Sequence, residues 1–359
     1  QFDWLESFEE VILMFDMDEA GRKAVKDCAG LLKGLKVANL PMKDPNECLL
    51  ANKGQSVINA IWNAKAYKPD GIVNGADLWE MVDSEDNEMS YTYPWDIPLN
   101  DMTRGLRKGE LVVVTAGTGV GKTTFVRQIM YDLGVKKNLK VGCMMLEENV
   151  KRTSVGLMSI HTGVRLHLSR HAISEEEYRK AFDETLGTGN YVLYNHFGSL
   201  EGDNLLNKIR YLAISEECDF IVLDHVSIAI SGLEGDNERK LIDYLMTQMR
   251  SIVEETGVGM IVISHLRRPD NSQKSHEEGG ITSLAQLRGS HAISQLSDIV
   301  LGLERNQQES NEELRNTTRV RVLKNRFTGE TGIGGYLTYN RKTDRLEVAE
   351  KEDDDESEF

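Results

Sequence analysis

TAGTGVGKTTF, residues 115–125, follows the apolar run LVVV (111–114), and its reading decides the rest of the chain. A buried strand, a glycine-rich turn ending in lysine and threonine, and the helix-like FVRQIMYDL (125–133) form a unit that cradles phosphate. Backbone N–H groups of Ala116, Gly117, Thr118, Gly119, Val120 and Gly121 would face the phosphates at a helix N-terminus, where the dipole favours anions. Lys122 would reach the β- and γ-phosphates, Thr123 would ligate Mg2+, and Thr124 would complete the loop. Ala116 stands where the strict pattern has glycine, and a small residue is tolerable there. The ligand class is a nucleoside triphosphate, and the loop does not separate ATP from dTTP.

Outward from the loop, strand and helix alternate from Leu99 to about Arg345. Apolar runs occur at 111–115, 141–146, 191–194, 219–224, 259–264, 298–303 and 319–323. They are nearly continuously apolar, as strands of a mostly parallel sheet covered on both faces are. The fold class is therefore α/β. Residues 1–68 form a separate, smaller α/β unit, with VILMF (11–15), a helical stretch (18–35) and KVANLP (36–41). Residues 69–98 read as a linker, in which ADLWEMV (76–82) is a short helix able to dock on a neighbour. Residues 346–359 read as a disordered acidic tail.

Composition sets limits. The 359 residues carry a net charge of −16, and the last ten, EKEDDDESEF, contribute −6 of it. A nucleic-acid site must then be a local basic lining and not a basic face. No segment approaches the roughly 20 apolar residues of a membrane span. The four cysteines form no CxxC, which fits a reducing cytosol without structural zinc. The chain begins with Gln1 and not Met, as a processed or truncated product would.

Several side chains at strand ends are candidates for chemistry. Asp224 closes DFIVLD and could hold the metal or its water. Glu147 follows VGCMML, taken as the neighbour of the loop strand, and is favoured over Glu148 as the base that polarises the attacking water. His265 closes GMIVISH and could sense the γ-phosphate, although a lone histidine is commonly structural. Arg326 opens a hairpin and could stabilise transition-state charge in its own subunit or a neighbour's. Residues 265–298 form a loop with Arg267, Arg268, Lys274, Arg288 and Gly289, suited to following a phosphate backbone. The loop lacks aromatics, so base stacking and sequence preference would be weak.

In combination, the loop, MLEE, VLDH, SHL, QLRGS followed by QLSD, LERNQQ and LKNRFTGETGIGGY resemble the bacteriophage replicative primase-helicases, with the mitochondrial and bacterial replicative helicases as more distant kin. ILMFDMDEAGRKAV and LPMKDPNEC resemble the TOPRIM primase domain of the same family. The resemblance implies a RecA-like domain assembled as a hexamer or heptamer, translocating 5′ to 3′ on single-stranded DNA in the bacterial host cytoplasm. It implies hydrolytic roles for Lys122, Thr123, Glu147 and Asp224, and coupling of nucleotide to DNA by His265 and Gln295. It makes Arg326 an arginine finger acting on the neighbour, and Arg305 and Tyr339 the residues that sandwich the base. It implies that Asp16 and Asp18 are the DxD that binds Mg2+ in the TOPRIM fold, which Asp44 could join. It also implies that the tail, ending in Phe359, docks on the replicative polymerase. Alternatives are a primase, and a RecA-like clamp or strand-exchange protein that does not unwind.

Overall fold

In the computed structural model the apolar runs become neighbouring strands. The structure describes residues 2–5, 7–29, 35–67, 73–83, 89–196, 202–229, 238–267, 274–287 and 291–349. The chain divides into two units, 1–87 and 88–359.

The first unit is a three-stranded sheet, β1 (Ile12–Leu13), β2 (Lys36–Val37) and β3 (Lys65–Ala66), with β1 and β2 parallel and β3 antiparallel to β2. The helix Glu19–Ala29 crosses between β1 and β2. Helix Pro45–Leu50 starts where the Asp44 side chain accepts a hydrogen bond from the Glu47 N–H at 2.7 Å. That is an N-cap, and it satisfies one of the orphan donors of the first turn. A short helix, Trp79–Asp83, overlaps the expected 76–82 stretch and ends one residue beyond it.

The second unit begins with β4 (Ser90–Tyr91), paired with β5 (Leu106–Arg107). Its main sheet holds nine strands among the described residues. In chain order they are β6 (Leu111–Ala116), β7 (Val141–Met145), β8 (Tyr191–Leu193), β9 (Phe220–Asp224), β10 (Gly259–His265), β11 (Ile299–Glu304), β12 (Thr317–Asn325), β13 (Gly332–Asn340) and β14 (Arg345–Val348). Across the sheet the order is β14-β13-β12-β11-β6-β10-β9-β7-β8. From β11 to β8 all pairs are parallel, and β12, β13 and β14 are antiparallel additions. The strand expected to neighbour the loop strand does not do so. β10 and β9 lie between β6 and β7, because crossover helices let strands far along the chain insert between earlier ones.

Alternate residues of the central strands serve two cores. Val112, Val114, Ile261 and Ile263 pack with Phe125, Val126 and Ile129 on one face. Leu111, Val113, Met260 and Val262 pack with Leu245, Met249 and Ile252 of the helix Glu238–Thr256 on the other. A strand covered on both faces has no polar side, which is why these runs lack alternation.

Two expected boundaries move. Tyr93, Trp95 and Ile97, placed in the linker by their Pro- and acid-rich context, are buried in the main core. Trp95 stacks on Phe125 at 4.8 Å and donates its indole N–H to the Leu346 carbonyl at 2.8 Å. Their alternation with Pro94, Asp96 and Pro98 was the overlooked signal of burial. At the other end, the domain runs through β14 and not to 345. Leu346 is buried, and its N–H and C=O pair with the Gln128 side chain at 2.7 and 2.8 Å. Arg345 donates to the Ile160 and His161 carbonyls, at the end of helix Val150–Thr162, where a cation complements the dipole. Residues 350–359, including Phe359, lie outside the described residues.

A chain ending at Ala349 should keep wild-type thermal stability. One ending at Arg345 loses a buried leucine and leaves Trp95 and Gln128 unpaired, a cost of at least about 3 kcal/mol. Comparing the two unfolding midpoints checks this.

Candidate active site

The loop 117–121 joins the end of β6 to the helix Lys122–Tyr131. Gly121, at φ +109°, caps that helix without any side-chain hydrogen bond, so its first N–H groups face outward. Gly117 lies so close to His276 that an added Cβ would stand 2.5 Å from the His276 Cβ. Lys122 is buried and donates to the carbonyls of Ala116 and Gly117 at 3.2 and 3.0 Å. Burial pulls its ammonium pKa down, and Asp224 and Glu147 pull it back. An arriving phosphate would supply the partner that the lysine lost with water.

Asp224, at the end of β9, accepts the Thr123 hydroxyl at 2.8 Å on Oδ2. Its Oδ1 is buried and has no hydrogen-bond partner. Burial pushes this carboxyl up to about 6. An orphaned buried carboxylate oxygen beside a hydroxyl fits a hard divalent cation such as Mg2+, which binds through one or two protein oxygens plus phosphate.

The two glutamates after β7 have different fates. Glu148 is held by Arg127 through both oxygens at 2.8 Å and also accepts the Thr153 hydroxyl. Glu147 is exposed and faces His225 at 2.8 Å and His265 at 3.8 Å through the same oxygen, Oε1. Geometry therefore leaves Glu147 available for chemistry and commits Glu148 to structure. His225 was not singled out in the sequence, although it directly follows Asp224.

At the same edge, Arg305 donates to the Gly119 carbonyl at 2.8 Å and Gln307, another unforeseen residue, to the Thr118 carbonyl at 3.1 Å. Tyr339 lies on β13, two strand spacings from β11, and its hydroxyl donates to Asp344 at 2.5 Å. Burial and that hydrogen bond push the phenol up to about 12.

Arg326 is elsewhere. Its N–H donates to the Asp298 carbonyl, and the Asp298 N–H to the Leu111 carbonyl. Leu111 opens β6 and the loop follows its end at Ala116, about 17 Å along the strand. The guanidinium faces Asp298 at 3.4 Å and the Gln295 carbonyl. Gln295, grouped above with His265, thus lies at the far edge with Arg326. It precedes β11, whose amino end points away from the loop.

The sequence pattern described as the DnaB-like helicase C terminal domain matches residues 97–347, and a Toprim-like pattern matches 1–49. The chain belongs to the DnaB-like helicase family. It is 43% identical over 355 residues to the DNA helicase/primase of Enterobacteria phage T3, covering 96% of this chain and 62% of that protein. It is 24% identical over 241 residues to the replicative helicase DnaB of Geobacillus stearothermophilus, covering 66% of this chain and 52% of that one. The chain thus spans about half to two thirds of these curated relatives. Two solved structures share the RecA-like fold. One is the ATPase domain of another protein (19% identity, TM-score 0.61, 78% of this chain and 100% of that one). The other is a DnaB-like replicative helicase studied with primase (18% identity, TM-score 0.62, 85% and 74%).

Other expected residues of this DnaB-like chain lie as follows. Arg267 and Lys274 are exposed on the segment after β10. That segment is anchored: the Arg267 carbonyl meets His276 at 3.1 Å, and Thr282 donates through its N–H and hydroxyl to the buried Glu304. Arg268, Arg288 and Gly289 lie outside the described residues. In the Toprim-like unit, Asp18 accepts the Gly21 N–H at 2.9 Å and lies 3.5 Å from Lys43. The Gly21 hydrogen bond holds its carboxyl below the usual range. Asp44 caps its own helix, and among the described residues Asp16, Asp18 and Asp44 form no three-ligand cluster. No helix among the described residues is long and apolar enough to cross a membrane.

The raised Asp224 pKa gives a pH prediction. Its protonated form is favoured in the folded chain, so the penalty of the charge is absent below about pH 4, grows as pH rises to about 6 and is full above that. Without metal and nucleotide, Asp224→Asn should be more stable than wild type at pH 7.5 by about 1–3 kcal/mol, and the gain should shrink at pH 4.5. Urea unfolding at both pH values decides; a gain independent of pH sinks the assignment.

Proposed function

We propose that this chain assembles as a closed ring, a hexamer or heptamer, that hydrolyses ATP or dTTP between neighbouring subunits. The ring moves 5′ to 3′ along single-stranded DNA and opens duplex at a replication fork. One observation carries the reading: Arg326 stands at the opposite edge of the sheet from its own phosphate loop. A guanidinium there serves hydrolysis only at a second copy's site, and head-to-tail repetition of such a contact closes into a ring. Family membership and the relatives' names support the helicase role.

In each site the loop amides and Lys122 bind the β- and γ-phosphates. Arg305 follows β11 and Tyr339 lies on β13, and the base is assigned to the space between them. Thr123 and Asp224 would hold Mg2+, which would neutralise phosphate charge. Glu147 takes the proton of the attacking water, and the partner's equivalent of Arg326 meets the charge on the transferring phosphoryl group. His265 opens directly into the segment bearing Arg267 and Lys274. Loss of the γ-phosphate there shifts the DNA contacts, to which Arg268, Arg288 and Gly289 are also assigned. Gln295, beside Arg326, reports the state of the neighbour's site. The acidic tail ending in Phe359 docks on a basic surface of the replicative polymerase. Primer synthesis is assigned to a longer parent protein in the host cytoplasm, of the helicase/primase kind of which this chain matches 62%.

Glu147→Gln should bind nucleotide normally and lose about 10²- to 10⁴-fold in turnover. Arg326→Ala should lose about 10³-fold or more, and should poison mixed rings. DNA-stimulated hydrolysis measured across mixing ratios should fall faster than the wild-type fraction. A linear fall means that Arg326 does not act between subunits.

A further inference from the structure

The loop tips after β7 and β9 leave the sheet side by side. Met145 pairs with Asp224, and the Leu146 N–H donates to the Asp224 carbonyl at 2.6 Å. The next residues outward, Glu147 and His225, therefore face each other. His225 is buried and Glu147 exposed. An exposed glutamate samples many rotamers, yet a base must hold its oxygen within hydrogen-bond reach of one water.

The imidazole of His225 has a fixed orientation. Its ring packs edge-on against His265 with centroids 4.2 Å apart. Its Nδ1 accepts the Ser227 backbone N–H at 3.2 Å. With that lone pair used, the ring proton sits on Nε2, 2.8 Å from Glu147 Oε1. The contact is then an N–H donated to a carboxylate. His265 Nε2, at 3.8 Å, is too far to make one. Glu147, His225 and His265 also lie close enough together to suggest a metal cage. A cation at that point would need the His225 Nε2 lone pair, which the Ser227 N–H denies it.

We propose that His225 is the positioning residue of the site: its Nε2–H holds one oxygen of Glu147, so that the other is presented to the attacking water. This rests on Glu147 being the base. The role resembles outer-shell hydrogen bonds that orient metal ligands, whose loss costs about 10- to 100-fold.

Asparagine and glutamine at position 225 separate this from a structural role. The Gln amide N–H reaches the place of ring Nε2, and the shorter Asn amide reaches only that of Nδ1. His225→Gln should recover most of the wild-type kcat for DNA-stimulated hydrolysis. His225→Asn should lose about 10- to 100-fold in kcat with an unchanged dissociation constant for a fluorescent nucleotide analogue. In a Glu147→Gln background His225→Asn should cost nothing further. Equal kcat for the Asn and Gln variants, or an independent further loss in the double variant, overturns the proposal. Full turnover by Glu147→Gln alone instead removes the base, a result distinct from any at position 225.

Discussion

Parallel strands all end at one edge of a sheet, and the arrangement here depends on that constraint. β6, β10, β9 and β7 deliver the phosphate loop, His265, Asp224 and Glu147 to the same edge from positions spread between residues 117 and 265. The hydrogen bond from Thr123 to Asp224 spans two strands and ties that edge together. β12 runs the other way, and its end carries Arg326 to the opposite edge. One rule of strand direction thus gathers the loop, His265, Asp224 and Glu147 and places Arg326 away from them. In the proposed ring, that placement makes a second copy of the chain part of the chemistry.

The edge is polar because the sheet behind it is not. Both faces of the central strands are packed, so charged groups collect where strands stop and backbone emerges. There, burial sets each group's state. Asp224 holds an unpaired oxygen and a raised pKa, and Lys122 has a lowered one. Arg127 and Thr153 bind Glu148 and leave Glu147 facing outward. Two adjacent glutamates thereby acquire different work from their neighbours alone.

Much of this was legible in the residues. Strand runs, the loop, the strand-end Asp224 and His265, and the hairpin after Arg326 all stand where periodicity and motif spacing put them. What failed were inferences about boundaries and neighbours. Tyr93, Trp95 and Ile97 were hidden by proline and acid around them, and Leu346 by the acidic tail beyond it. The packing that claims them comes from Phe125 and Gln128, far along the chain. β7 was taken as the neighbour of β6, an inference that read nearness from chain order.

By itself the sequence determined the local chemistry: a phosphate loop between strand and helix, two-faced strands, and acids or histidines at their tips. Those features follow from short-range periodicity and from the conformations that glycine permits. Tertiary structure alone decided which glutamate is available, that His225 faces it, and that Arg326 and its own loop lie at opposite edges. Each of these depends on strand order and direction, which long crossovers fix through the packing of both sheet faces. No window of sequence contains that information.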